Sequence, residues 1–381
     1  MRAGPSLAPR IDISNLRRLG GQVQEDSSHV HSQKMNVGVL GTGSVSAQYL
    51  PNLVASETLD LVAVADLDFA AASALAKRFG VKRVYQGEDI LADDDIELII
   101  NLTPIPAHRD TNERILRAGK HVYSEKPLAT GTADSASLVR LAAELGLKIA
   151  CAPDTILGDG FQAGRAAIER GDIGVPLTAS ATMLRPIPPR EINRTGGIPF
   201  LNMAPYYLTA LVNLFGPVRA LCGTAQLYDP VERGADAVAH SNCSLVFDDD
   251  ALATLTMRYG NRPVREVPLL TVLGTRGELC LPNPDTFAAA VRLRPHGATE
   301  WTDLSVRADE TERGPNRRGC GAEDLALAVW EDREPVASGS IAVNVVETIH
   351  AMTTPDSEGR VSARIEADVR PSPRLLVGEV A

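Results

Sequence analysis

Paired cysteines are missing from this 381-residue chain: its five cysteines (Cys151, Cys222, Cys243, Cys280 and Cys320) are scattered, odd in number and never spaced C-x-x-C. That excludes a zinc ribbon and a disulfide framework, and it makes a reducing cytoplasm the expected compartment. An excess of basic residues is missing too. A formal net charge of −10 leaves no basic surface for nucleic acid or an anionic membrane. No apolar run approaches the roughly 18 residues that a membrane-spanning helix needs. Arg17-Arg18 is followed by no apolar segment, so neither a secretory nor a twin-arginine leader is expected. Residues 1–34, rich in Ser, Gln, Gly and charge, are expected to form a disordered arm, with Met35 a candidate start. Histidine is absent from the whole stretch between His121 and His240. No internal repeat and no metal-ligand spacing is found.

What is present is a regular alternation. Short β-branched runs at Val37–Leu40, Leu61–Ala65, Leu98–Leu102, His121–Ser124 and Lys148–Ala152, with a weaker one near Val84, alternate with helical stretches. Those stretches are Ser46–Ala55, Phe69–Phe79, Ala107–Ala118 and Asp134–Leu145, and Gly80, Gly119 and Gly146 stand where three of them should stop. Strand–helix alternation with short connections predicts a doubly wound parallel α/β sheet over residues 35–158. From residue 159 to 353 the texture changes to runs of strands (Leu177–Leu184, Val218–Gln226, Asn242–Phe247, Ala251–Arg258, Leu269–Leu273, Ala289–Leu293). Helices at Phe161–Arg170, Asn202–Leu214, Ala322–Trp330 and Ile341–Met352 punctuate them, predicting an α+β domain on a mostly antiparallel open sheet. The Pro/Asp/Arg-rich residues 354–381 read as an unstructured tail.

The first strand runs straight into Gly41-Thr42-Gly43-Ser44-Val45-Ser46. In a strand–turn–helix of this kind the first glycine permits the tight turn and the second lets the backbone approach a pyrophosphate. The third position needs a small residue, and Ser46 serves. The pyrophosphate then sits on the N-terminus of the helix. Asp66 ends the second strand 23 residues after Gly43, where a carboxylate accepts hydrogen bonds from the adenosine ribose diol. It would repel a 2′-phosphate, and Leu67-Asp68 offers no cation, so NAD is expected over NADP. Asp66 could instead cap the following helix, and the two roles are compatible.

Two further motifs follow the carboxyl ends of predicted parallel strands, where ligands of open α/β sheets bind. One is Thr103-Pro104-Ile105-Pro106-Ala107-His108 and the other is Glu125-Lys126-Pro127. A lysine beside a nicotinamide can bond a substrate hydroxyl, and partial burial would lower its pKa into a catalytic range. A surface ion pair between Glu125 and an arginine is the plainer alternative. With these motifs in order, followed by Cys151-Ala152-Pro153-Asp154-Thr155, Gly196-Gly197, Asn202-x-Ala204-x-Tyr206 and Leu273-Gly274-Thr275-Arg276-Gly277, residues 36 to about 352 resemble the Gfo/Idh/MocA oxidoreductases, named for glucose-fructose oxidoreductase and inositol dehydrogenase. The resemblance implies NAD(P)-linked hydride transfer on a secondary alcohol or ketone of a sugar, amino sugar or cyclitol. It implies that Lys126 touches both nicotinamide and substrate, that Thr103, Pro104, His108 and Glu125 line the cofactor site, and that the open sheet forms a homodimer or homotetramer.

The pattern is broken at one helix. Many members carry Asp-x-Gly-x-His where this chain has Asn202-Met203-Ala204-Pro205-Tyr206. Residues four apart share a helix face, so Asn202 and Tyr206 still point together, with Thr209 beyond. Asn202 has no titratable proton, and a free tyrosine titrates near 10 rather than near histidine's 6.5. Lys126 could depress Tyr206 into a Tyr–Lys pair, Lys126 alone could take the proton, or Asp154 could. His108 is a further carrier, although it begins a helix and such a residue often only lines the cofactor site. Near the C-terminus, Ala342-x-Asn344-x-x-Glu347 replaces a pattern that often carries histidine, which implies a remodelled substrate pocket. Arg185, Arg190 and Arg194 share an expected loop. Arginine forks suit carboxylates, so an anionic sugar is one expectation beside a solvated loop. Losing the usual base also leaves room for a redox-neutral enzyme using NAD transiently, or for a dinucleotide-binding partner without catalysis.

Overall fold

The computed structural model describes residues 34–185, 200–228, 237–248, 251–259, 270–287, 290–304 and 316–369. The expected arm over 1–34, except Lys34, and most of the expected arginine loop therefore lie outside the described residues.

The N-terminal half builds a six-stranded parallel sheet in the order β3-β2-β1-β4-β5-β6. Its strands are β1 (Met35–Leu40), β2 (Leu59–Asp66), β3 (Arg83–Gln86), β4 (Leu98–Asn101), β5 (His121–Ser124) and β6 (Ile149–Cys151). The chain order reverses between β1 and β4, which opens the crevice where a dinucleotide binds in this architecture. Helices α1 (Ser46–Ala55), α2 (Phe69–Phe79), α3 (His108–Arg117) and α4 (Thr132–Glu144) supply the crossovers. Asp68, not Asp66, caps α2 by accepting from the amides of Ala70 and Ala71, and Gly80 ends that helix in the left-handed region at φ 73°. Both sheet faces are apolar. Val37, Val39, Tyr49, Leu50 and Tyr123 pack on one side, and Leu40, Ala65, Ile99, Ile115 and Leu138 on the other.

The second half forms a nine-stranded sheet, β14-β13-β12-β11-β7-β10-β9-β8-β15. Its strands are β7 (Pro176–Arg185), β8 (Val218–Tyr228), β9 (Ala237–Phe247), β10 (Leu252–Tyr259), β11 (Leu270–Gly274), β12 (Gly277–Leu281), β13 (Val291–Pro295), β14 (Thr302–Leu304) and β15 (Arg360–Arg364). All neighbours are antiparallel except β7 and β10. Helices α5 (Asp159–Glu169), α6 (Phe200–Phe215) and α8 (Gly339–Met352) cover one face and share its core.

Two expectations are corrected. The tail is not unstructured throughout: β15 pairs antiparallel with β8 from Arg360↔Thr224 to Arg364↔Ala220, with Val361 buried. An edge strand buries few side chains, so its sequence reads as polar tail. The helix expected at Ala322–Trp330 belongs to the other half. It is α7 (Cys320–Trp330), whose Ala322, Leu325 and Ala326 enter the core of the parallel sheet beside Tyr123 and Ala150. The chain thus returns to the first sheet after completing most of the second, and residues 316–321 run along the junction.

Candidate active site

The loop after β1 is shaped by contacts that only glycine permits. Gly41 donates to Ala65 O at 2.8 Å and has φ +104°, and a Cβ there would lie 2.7 Å from the carbonyl carbon and oxygen of Leu102. Gly43 is different: nothing lies within 4 Å of an added Cβ. Its backbone is open to a ligand from outside. Ser46 fixes the turn by donating its hydroxyl to Gly43 O at 2.7 Å. Val45 stands at the start of α1 without a side-chain cap, and the first turn carries no acid. The first amides of α1, beside the exposed Ser44, therefore suit a pyrophosphate.

Asp66 stands at the end of β2, where the adenosine ribose is expected. One carboxylate oxygen accepts from Thr42 N at 2.6 Å and from Thr42 Oγ1 at 2.7 Å, and the other from Asp68 N at 2.9 Å. Burial works to raise its pKa, but the amides of Asp68 and Thr42 and the Thr42 hydroxyl outweigh burial and hold it below the usual carboxylate range. Asp66 is ionised at neutral pH and keeps acceptor capacity for a diol. These residues fit a dinucleotide.

A buried polar network fixes the loops after β4 and β5 to each other. Asn101 Oδ1 accepts from the amide and hydroxyl of Thr103, and Asn101 Nδ2 donates to Asn112 Oδ1 at 2.7 Å. Asn112 Nδ2 in turn donates to Ser124 Oγ and Leu128 O. His108 is buried, with Nδ1 2.6 Å from Pro127 O and Nε2 2.8 Å from Thr103 O. Burial pulls its pKa down against the pull of the two carbonyls. Both ring nitrogens face main-chain carbonyl oxygens, one of which a neutral ring can donate to, so His108 braces Thr103-Pro104 against Pro127.

Glu125 makes no surface ion pair. Its carboxylate is buried and accepts from the Tyr49 hydroxyl at 2.7 Å and from the Lys126 amide at 3.0 Å. Lys126 Nζ crosses to α6, donating to Asn202 O at 2.9 Å and Asn202 Oδ1 at 2.8 Å, and lies 5.1 Å from the centroid of the Tyr206 ring. Burial draws the Lys126 pKa below the usual lysine value. Glu125 resists that shift and Arg318 adds to it. The expected convergence of Lys126, Asn202 and Tyr206, with Thr209 lining the small recess behind Lys126, is therefore found.

The expected Tyr–Lys pair is not. The ammonium rests over the ring face, whereas the Tyr206 hydroxyl accepts from Arg318 Nη2 at 3.1 Å. Burial pushes that hydroxyl far above the usual phenol range, although Arg318 opposes the shift. Asp154 is also turned elsewhere. It is fully buried, and one of its oxygens accepts from Gly319 N at 2.8 Å and Gly321 N at 3.4 Å at the start of α7. Asn344, expected to mark a remodelled pocket, instead clamps α8 to β8 by bonding both the amide and the carbonyl of Val218. Glu347 receives the amides of Glu366 and Ala367 as the chain leaves β15.

Sequence reasoning missed Arg318, which meets Tyr206, and the two residues from other segments that hold it, Gln48 and Asp285. No motif marks them. Tyr49 was accessible to reasoning, lying three residues after Ser46 on the buried face of α1. No group of three or more His, Cys, Asp or Glu that could hold a metal occurs among the described residues, and no helix of theirs is long and apolar enough to cross a membrane.

Comparison with known proteins agrees with this geometry. Residues 35–152 match the model of the oxidoreductase family with an NAD-binding Rossmann fold, and residues 161–280 match the Gfo/Idh/MocA C-terminal domain. The dTDP-3,4-didehydro-2,6-dideoxy-alpha-D-glucose 3-reductase of Streptomyces violaceoruber is 32% identical over 209 residues, 53% of this chain and 60% of that protein. The inositol 2-dehydrogenase of Rhizobium meliloti strain 1021 is 32% identical over 163 residues, 42% of this chain and 49% of that one. Each alignment thus spans only about half to three-fifths of the relative. Among solved structures, the aldose-aldose oxidoreductase of Caulobacter crescentus superposes with a TM-score of 0.73 at 21% identity, covering 84% of this chain and 96% of that one; at that identity the likeness speaks for the fold. With both family domains matched in order over residues 35–152 and 161–280, the chain belongs to the Gfo/Idh/MocA family of oxidoreductases.

Proposed function

We propose that the protein is an NAD-dependent oxidoreductase acting on a secondary alcohol or ketone of a sugar, amino sugar or cyclitol, with Lys126 as the group that carries the hydroxyl proton. The relatives named for a sugar 3-reductase and an inositol dehydrogenase support the substrate class. The observation that carries the reading is the setting of Lys126, held by the two oxygens of Asn202 above Tyr206 at the carboxyl end of β5.

In its amine form Lys126 satisfies Asn202 O and Asn202 Oδ1 with its two N–H bonds and directs its lone pair away from them, ready for a hydroxyl proton. Burial favours that neutral form and so eases the transfer. Asn202 orients without titrating. Tyr206, neutral and tied to Arg318, lays its ring under the ammonium and so stabilises the charge when Lys126 holds the proton. A bound nicotinamide would accept or supply the hydride. Asp66 would receive the adenosine ribose and, being ionised, disfavour a 2′-phosphate.

Purified protein with NAD and a panel of sugars and cyclitols should raise the absorbance at 340 nm with at least one of them. Lys126→Met should remove that activity while leaving NADH binding within a few-fold. Turnover that survives Lys126→Met, or a panel that yields none, refutes the reading.

The outer face of the nine-stranded sheet further supports a homo-oligomer. Its exposed or half-exposed positions are mostly uncharged, including Thr178, Ser180, Asn242, Ser244, Thr254 and Thr256, with Leu252 49% and Leu273 42% exposed. A broad face with little charge suits a second copy of this chain better than solvent. A monomeric mass by light scattering would contradict this.

A further inference from the structure

Arg318 lies in the segment leading into α7 and is only 9% exposed. Three elements hold it. Its Nε donates to Gln48 Oε1 of α1 at 2.8 Å, and Nη2 donates to the Tyr206 hydroxyl at 3.1 Å and meets Asp285 Oδ1 at 3.4 Å. Its guanidinium carbon lies 5.8 Å from the centroid of the Tyr206 ring. The remaining nitrogen, Nη1, is buried without a hydrogen-bond partner. A buried guanidinium donor left unmatched is unusual and costly.

Lys126 and Arg318 therefore both lie beside one aromatic ring, their charged groups 5.1 Å and 5.8 Å from its centroid. The carboxylates around them leave Arg318 Nη1 unmatched. Glu125 receives the Tyr49 hydroxyl and the Lys126 amide, and Asp154 receives Gly319 N and Gly321 N on one oxygen while its Oδ1 is buried without a partner of its own. Asp285 reaches Arg318 only at Nη2. Lys126 itself meets two neutral oxygens of Asn202. Two cations thus converge with donor capacity that no described carboxylate takes up.

We propose that Arg318 is a substrate-binding residue and that the substrate is a sugar acid, its carboxylate received at Arg318 Nη1 while the reacting hydroxyl meets Lys126. The second half of this statement rests on Lys126 as the proton carrier. A monoanion fits better than a phosphate. Nη2 and Nε are already engaged, so Arg318 presents one nitrogen rather than its two-pronged fork, and Asp285 and Glu125 nearby would repel a dianion.

The test uses the full-length protein with NAD and matched pairs, D-glucuronate against D-glucose and D-galacturonate against D-galactose. Binding is measured by calorimetry and turnover as NADH formation, for the wild type, Arg318→Gln and Arg318→Lys, with thermal midpoints to confirm folding. In the wild type the acid of at least one pair should bind tenfold or more tightly than its neutral partner. Arg318→Gln should collapse that ratio to near one, chiefly through KM rather than kcat, and Arg318→Lys should restore part of it. The inference is overturned if no acid is preferred, if no member of any pair binds, or if folded Arg318→Gln keeps the preference. Acid binding that depends on Arg318 but gives no NADH would uphold the anion site and refute the Lys126 reading. Lys126-dependent NADH from neutral sugars without acid preference would do the reverse.

Discussion

Replacing Asp66 with asparagine removes one charge from the adenosine side of the cleft while nearly preserving shape, so its effect on cofactor choice can be worked out. The carboxylate is held by Thr42 N, Thr42 Oγ1 and Asp68 N at 2.6–2.9 Å, so it cannot swing away from a ribose bound beside it. A 2′-phosphate there would place like charges about 6 Å apart, which costs about 1–3 kcal/mol once partial exposure is counted. The carboxylate also accepts from the ribose diol of NAD, and hydrogen bonds to a charged group contribute about 1.5–3 kcal/mol. Asp66→Asn loses most of both effects, so the ratio of NADPH to NADH dissociation constants should fall about 100-fold, each 1.4 kcal/mol being tenfold. The assay is titration of reduced-cofactor fluorescence. The ratio, rather than either constant, is the proper readout, because the substitution also disturbs the Thr42 turn and weakens both ligands. The folded-state pKa of Asp66 is depressed, so its charge is present above that value and is lost only as pH falls through it. Wild-type selectivity should accordingly be flat between about pH 7.5 and pH 9, above both the ordinary carboxylate range and the second ionisation of a phosphate monoester at ~6. A wild type that holds NADPH as tightly as NADH, or an Asp66→Asn protein with an unchanged ratio, would refute the reasoning.

Three further outcomes follow from the same geometry. Because the Lys126 pKa is lowered in the folded protein and its amine form takes the proton, kcat for alcohol oxidation should rise with pH through a single ionisation below the usual lysine value. Lys126→Arg, which cannot deprotonate, should abolish the rise and lower kcat by about 10²–10⁴-fold. Asp154→Asn should cost about 1–3 kcal/mol of stability through the amides of Gly319 and Gly321, seen as a lower denaturation midpoint. It should leave that pH profile in place, and a lost profile would make Asp154 the base instead. Gly41→Ala forces a Cβ against the Leu102 carbonyl at φ +104° and should cost about 1–3 kcal/mol or more, whereas Gly43→Ala, with nothing within 4 Å, should keep its thermal midpoint and weaken NADH binding. Equal loss of stability in both variants would contradict the distinction between the two glycines.

The parallel sheet was legible because its order is local. Its central strands β1, β4, β5 and β6 are buried on both faces, and three of its helices are followed by a glycine stop, as α2 is by Gly80. Its strands and helices fall within a few residues of the expected ones. The second sheet was legible as strands but not as an arrangement. Nothing in Leu177–Leu184 says that it will pair in parallel with Leu252–Tyr259 across an intervening helix and two strands. Three-residue β14 and edge strand β15 carry too little apolar pattern to stand out. The α7 stretch shows its helical spacing in Ala322, Leu325 and Ala326, but periodicity names a buried face and not the sheet it will cover.

The site divides in the same way. Gly41, Gly43, Asp66 and Lys126 sit at strand ends, where their neighbours in sequence define their surroundings. Arg318 has partners 112, 270 and 33 positions away, and no spacing rule reaches them. Its position nevertheless explains the two departures on α6. A histidine in place of Tyr206 would face the Arg318 guanidinium, which opposes its protonation. A neutral tyrosine hydroxyl instead accepts from Arg318. An aspartate in place of Asn202 would pair with Lys126 and hold it protonated, whereas the neutral oxygens of Asn202 orient the amine and allow its pKa to fall. Each exchange, read alone, looks like the loss of a catalytic group. On the reading proposed above, they and Arg318 would move the proton from a histidine to the lysine and leave the site one negative charge poorer, which is the change that a carboxylate on the substrate would make good.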